Sequence, residues 1–229
     1  MYVHFKNLVI GLALAIASGT SFAQLVVPAG GSFDAGTFGG LDLACTGMLV
    51  QGSVTVGSST ISRATDVVVD GGNLAGDSGT ISLSGTFNNT GAFNAGTGTV
   101  AFTDDCVGPA KIVGTSTFTN LSFVSTTGRT LVIPDGTSIT VTGTLTLQGT
   151  PGAPISIVTA SGAPAVINLA PGATVVRSNV ILAPGVGIGA PLASNVASIP
   201  TLSEYGLMLL SLLLGALAWT RVRPRQLVS

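Results

Sequence analysis

The sequence predicts an all-β body followed by one C-terminal transmembrane helix. Short runs alternate apolar and hydroxyl residues with period two, as half-buried strands do. Glycine opens or closes nearly every run, and no stretch of the body places apolar residues at helical spacing. Gly and Thr at such density weaken any helix. The segment from Leu207 to Trp219 carries no charge and is apolar but for Ser211.

The strand candidates are Ser53-Val54-Thr55-Val56, Thr80-Ile81-Ser82-Leu83, Thr99-Val100-Ala101-Phe102, Ser138-Ile139-Thr140-Val141 and Thr144-Leu145-Thr146-Leu147. Between them stand turn formers: Asp70-Gly71-Gly72, Asp135-Gly136 and Pro151-Gly152. Two architectures accommodate short strands with frequent turns, a parallel β-helix solenoid and an antiparallel β-sandwich. The solenoid is preferred because a glycine–strand–Asn/Gly unit recurs irregularly, with copies at Gly79 to Asn88 and Gly114 to Asn120. Coils that pack only on their neighbours tolerate such irregularity.

Residues 1–23 read as a secretory signal peptide. Lys6 charges a short n-region, Leu8 to Ala17 is apolar, and Ser21-Phe22-Ala23 offers a small-x-Ala cleavage site ahead of Gln24. Signal peptidase is therefore an expected partner, with cleavage between Ala23 and Gln24. His4, the single histidine, lies in this segment. The body is expected over 24–182, with 24–40 as a possible cap on the first coil, and 183–198 as a Gly/Pro linker whose first half could instead be a last strand or cap.

The body's chemistry is restricted. Between Gln24 and Ser198 there is no His, Glu, Trp or Tyr. Eight aspartates face Arg63, Lys111, Arg129 and Arg177, a balance of −4. That is too weak and scattered for a binding field, and no basic patch points to nucleic acid. General acid–base catalysis relies chiefly on His or shifted carboxylates, and carbohydrate clefts use broad aromatic faces. The expectation is a protein that is not an enzyme and needs no cofactor or metal. The competing expectation is a polysaccharide-active β-helix enzyme, in which Arg63, Arg129 or Arg177 faces clustered aspartates; an adhesin is a third. Disorder is disfavoured by the abundance of Val, Ile and Thr.

Cys45 and Cys106 are the only cysteines. In an exported chain they point to a disulfide, closing a loop of about 62 residues worth roughly 4 kcal/mol on the chain-entropy view. Two thiols without His fall short of a tetrahedral metal set.

The C-terminus carries the most specific signal. Ile199-Pro200-Thr201-Leu202-Ser203-Glu204-Tyr205-Gly206 leads into an apolar helix expected over 205–220, which spans roughly 24 Å at about 1.5 Å per residue. Its seven leucines contribute on the order of −2 to −4 kcal/mol toward insertion. Arg221, Arg223 and Arg225 form a basic stop over 221–225, which keeps the tail cytoplasmic and the preceding chain across the membrane. Motif, helix and basic tail together resemble the IPTL-CTERM protein-sorting domain of Gram-negative bacteria. Seven of the eight motif positions agree; Tyr205 stands where that family usually has Trp. The resemblance covers residues 199–229 and implies recognition and cleavage by an exosortase-like membrane enzyme. The resulting expectation is an exported envelope or biofilm-matrix protein, first held in the inner membrane with its body in the periplasm, then at the surface or outside the cell. Extracellular polysaccharide and other envelope proteins are the expected neighbours.

Overall fold

The computed structural model describes residues 24–189, together with Leu212 and Leu214, which are helical. Residues 24–189 form a parallel β-solenoid of eight turns with three faces; the sandwich alternative is set aside, because all seventeen strand pairings are parallel. The first face stacks Leu25–Val27 on 48–50, 67–69, Thr86–Asn89, 111–114, Thr130–Ile133, Ile155–Thr159 and Val180–Leu182. The third face stacks 41–42 on 60–62, Thr80–Leu83, Thr99–Phe102, 120–124, 144–148 and Thr174–Ser178.

The second face is in two parts. Ser32–Asp34, Ser53–Thr55, Asn73–Ala75 and Ala92–Asn94 form a separate four-stranded sheet. After a break, 115–118, 138–141, Ala165–Leu169 and Val186–Ile188 continue on the same side. Phe93 bridges the break: its ring lies 5.5 Å from that of Phe118 and 5.1 Å from that of Phe87.

Period-two alternation explains the core. On the third face the inward column reads Leu41, Ile61, Ile81, Val100, Leu121, Leu145, Val175. A second column places Leu83, Phe102, Phe123 and Leu147 in register. Ile61, Ile81, Val100, Leu121 and Leu145 are all buried. Each inward side chain thus packs on its counterparts about 4.8 Å above and below. A methyl or phenyl group fills this space well, and β-branched residues also suit the pleated backbone.

The corner between the first and second faces runs on a glycine ladder: Gly31, Gly52, Gly72 and Gly91. The carbonyls of the first three accept N–H bonds from Ser53, Asn73 and Ala92, at 2.9, 2.8 and 2.8 Å. A methyl group on Gly72 would lie 2.6 Å from the Gly52 carbonyl oxygen, and one on Gly91 2.5 Å from that of Gly72. Close approach of the chain to itself, more than torsional freedom, excludes a side chain here. This ladder marks the true repeat unit. The stretches at Gly79 and Gly114 that suggest a repeat in the sequence occupy different corners and are not equivalent.

Both ends of the described body join the ladder. Segment 24–40 forms the first turn, with Leu25 paired to Met48 and Phe33 to Val54. The linker expected to begin at 183 contains Val186–Ile188, which pairs with Ala165–Ile167. The glycines of Pro184-Gly185-Val186-Gly187 serve a solenoid turn rather than a tether.

The ladder yields a paired prediction. Gly72→Ala should lower the unfolding free energy by about 1–3 kcal/mol through overpacking. Gly71→Ala, whose added methyl group meets nothing within 4 Å but whose φ is +67°, should cost about 1 kcal/mol. Chemical denaturation of both variants gives the comparison, and equal costs would contradict the ladder.

Candidate functional site

The corner between the third and first faces gathers the body's charged and sulfur chemistry. The chain turns here through single left-handed residues inside otherwise continuous strands: Ala44 and Cys45 in Leu41–Val50, Arg63 in Thr60–Val69, and Asn179 before Val180–Leu182. A non-glycine residue in this region costs roughly 1–2 kcal/mol, so each bend needs external support. Asp42 supports the Ala44 bend from two residues earlier, Cys106 meets the Arg63 carbonyl from a later turn, and Asn179 reaches the Gly149 carbonyl of the preceding turn.

Between the fourth and fifth turns this corner is enlarged by residues 103–109. The loop folds back along the solenoid axis and carries Cys106 to Cys45, and the two are disulfide-bonded. On the way the Cys106 N–H donates to Ser84 Oγ at 2.9 Å, and Cys106 Sγ lies 3.6 Å from the Arg63 carbonyl oxygen. Residues 45, 63, 84 and 106 occupy four successive corners, so one covalent strap spans four turns. The pairing expected from the cysteine count is the one observed.

Ion pairs brace the same corner. Arg63 grips Asp42 with Nε at 2.8 and 3.0 Å from the two carboxylate oxygens and with a second donor from its guanidinium. Asp42 Oδ1 also accepts the Ala44 N–H at 2.9 Å, which holds the left-handed bend. The Arg63 hydrogen bond and then the Ala44 N–H keep the Asp42 carboxyl below its ordinary range, and Asp42 in turn raises Arg63. This pair is half exposed, so water screens much of its attraction.

Arg129 is more enclosed, with its side chain 14 % exposed. Its guanidinium donates to the carbonyls of Thr103 and Ser84, and to that of Gly108 at 2.8 Å. Asp104 Oδ1 stands 3.6 Å away. Asp104 Oδ2 accepts the Thr126 N–H at 2.8 Å and hydroxyl bonds from Ser125, Thr126 and Thr127. Burial pushes the Asp104 carboxyl up, but the Thr126 N–H, the Ser125 and Thr126 hydroxyls and the Arg129 charge outweigh it. Asp104 therefore sits below the usual carboxylate range. Its sequence neighbour Asp105 points elsewhere and accepts the Thr103 hydroxyl at 2.7 Å.

Two of the three arginines singled out in the sequence, Arg63 and Arg129, thus come to one corner with Asp42, Asp104 and Asp105. Each arginine contacts a single aspartate. Arg177 lies apart, on the exposed last strand of the third face. Among the described residues no group of three or more His, Cys, Asp or Glu is placed to hold a metal ion. The arrangement's evident chemistry is to satisfy backbone carbonyls and amides at bends. Sequence reading singled out Arg129 only as an arginine that could face clustered aspartates, and gave no role to the turn at Ser125 to Thr127, whose hydroxyls hold Asp104.

Other expected positions fall elsewhere. Gln24 is exposed at the start of the first turn. Ala23, the motif from Ile199 through Pro200, Thr201, Leu202, Ser203, Glu204 and Tyr205 to Gly206, and Arg221, Arg223 and Arg225 lie outside the described residues. No helix among the described residues is long and apolar enough to cross a membrane.

Fold and corner together define a disulfide-strapped β-solenoid. Residues 197–224 match the family model of the IPTL-CTERM motif, which adds a C-terminal sorting signal and marks the chain for export and C-terminal processing. No curated protein and no solved structure matches the chain.

The ion pairs give a pH prediction. Asp42 and Asp104 both have folded-state values lowered from 3.8. Their contribution is complete above the unfolded value and is lost as pH falls through the lowered one. Tm should hold level from about pH 5 to 7, where the body has no histidine to titrate, and fall below about pH 4. Asp104→Asn should flatten that acid limb; an unchanged limb would contradict the role given to Asp104.

Proposed function

We propose that the chain is an exported, non-enzymatic structural component of the cell envelope or extracellular matrix. An exosortase-like enzyme removes its C-terminal signal, and the solenoid then acts as a rigid body at the surface or beyond it. The observation that carries this reading is the pairing of a C-terminal sorting motif at 197–224 with a disulfide that joins four turns of the body. Disulfides persist in oxidising compartments, so both features favour the same destination. The use of Arg129 and Asp104 favours a structural role: their polar atoms bind backbone and hydroxyl groups of neighbouring turns. A polysaccharide-degrading reading would need an arginine facing clustered aspartates; Arg63 is already clasped by Asp42, Arg129 is enclosed against backbone carbonyls, and Arg177 stands on an exposed strand that carries no aspartate.

Cell fractionation with intact-mass measurement tests this. The expected product begins near Gln24, ends between Ser198 and Gly206, contains one disulfide, and is recovered outside the inner membrane. A mass retaining Trp219 and the three arginines would replace processing with a permanent anchor. Recovery in the cytoplasm with residues 1–23 attached would overturn export.

A further inference from the structure

The outward side of the first face does not follow the polar pattern of the other two. Its central column reads Val26, Leu49, Val68, Asn88, Val113 in continuous register. The adjacent column reads Thr86, Lys111, Val132, Val158, and Ile181 follows Ser156 at the far end. Val26 is 39 % and Ile181 53 % exposed; the residues between them are half-buried. By contrast, the outward column of the third face is Thr60, Thr80, Thr99, Asn120, Thr144, Thr174. A valine stripe therefore runs along one flank of the solenoid only.

The charges on this flank are arranged symmetrically about the fourth turn. Asp66 immediately precedes Val67 in the third turn, and its Oδ1 accepts the Thr86 N–H at 2.6 Å. Lys111 stands on the far side of Thr86, in the fifth turn. Lys111 is the sole lysine of the body, and among the described residues it joins no ion pair. Acid below, lysine above and Asn88 between them in an apolar stripe make a pattern that complements itself when inverted.

We propose that the first face is the interface of a two-fold homodimer with antiparallel solenoid axes. A two-fold axis running parallel to the strands through the fourth turn sets the third turn of one copy opposite the fifth of the other. Asp66 then meets the partner's Lys111, and Lys111 the partner's Asp66, as an isologous contact requires. Val68 faces the partner's Val113, and Asn88 faces its own mate on the axis. A buried asparagine in such a seam fixes register at some cost in stability, as it does in other apolar seams. Three columns over seven turns give a flat patch of about 14 Å by 29 Å from strand spacing and rise. That is roughly half the area per partner of a standard interface, so the dimer is expected to be of micromolar strength.

In-cell crosslinking and sedimentation of the purified exported chain test the register. Asn88→Cys should be joined to its mate by a bis-maleimide reagent that bridges about 10 Å, the spacing of two sheets packed face to face, because the two copies meet on the axis. Lys111→Cys should not, because its symmetry mate is also displaced by two turns along the solenoid, about 14 Å away in all. Neither variant crosslinking, or both crosslinking equally, overturns the proposal. In sedimentation, Lys111→Asp should weaken self-association about tenfold by setting like charges together at two symmetric places. Adding Asp66→Lys should restore it. A chain that stays monomeric to about 100 µM, well above the strength expected for such a patch, or a Lys111→Asp variant that associates as tightly as the parent, overturns it too. Lys111 makes no described ion pair, so that single variant is expected to fold even if Asp66→Lys does not.

Discussion

Every turn of this molecule is made stable by the turn beside it. An isolated triangle of three- to five-residue strands has an apolar inner edge and unpaired backbone groups above and below. Only stacking in register removes both, since the parallel ladder pairs the amides while the inward columns exclude water. The columns from Leu41 to Val175 and from Leu83 to Leu147 are therefore more than packing detail. A shift of one residue would turn an inward column out to solvent, which is why register is held so strictly through the middle turns.

Stacking alone leaves the corners as the weak points, and two of them are built in opposite ways. The first-to-second corner solves the problem by subtraction: glycines from 31 to 91 let successive backbones meet within hydrogen-bond distance. The third-to-first corner solves it by addition. Its left-handed bends at Ala44–Cys45, Arg63 and Asn179 each meet a polar or sulfur side-chain contact, and a covalent strap crosses four successive corners. The strap closes a loop of 61 residues, worth roughly 4 kcal/mol if chain entropy dominates. For a body with two ion pairs among its described residues, this is a large fraction of a typical domain stability of about 5–15 kcal/mol. The strap and the Arg129 bracket both lie in the first six turns. The last two turns have ladder bonds, the Ser161 hydroxyl donated to Asp135 Oδ1 at 2.6 Å and neutral contacts such as Asn179 to the Gly149 carbonyl, with no covalent strap, so cohesion is graded along the axis.

The sequence disclosed the fold class and the pairing of Cys45 with Cys106 because each rests on a local or countable signal. Alternation in Thr80-Ile81-Ser82-Leu83 or Thr99-Val100-Ala101-Phe102 is visible without any partner strand. The length of a turn is not. Along the first face the inward residues Leu25, Met48, Val67, Phe87 and Ile112 are separated by 23, 19, 20 and 25 residues. The enlarged corner at 103–109 is what breaks the period. A search keyed on glycine two residues before an apolar residue, as at Gly31-Ser32-Phe33, Gly52-Ser53-Val54, Gly72-Asn73-Leu74 and Gly91-Ala92-Phe93, would have found four turns at once. The corner bracket of Arg129 and Asp104 was not legible, because its partners are backbone groups up to 45 residues away.

The central claim is that the disulfide strap joins four successive corners of the early turns while the last turns, which lack a covalent tie, depend chiefly on stacking. Amide hydrogen exchange of the exported protein, oxidised and then reduced under native conditions, addresses it most directly. Reduction should raise exchange in residues 41–69 and 99–112 and leave residues 138–169 unchanged, since local openings follow the contacts that close them. Uniform loss of protection along the whole body, or no change at the strapped corner, would contradict the account.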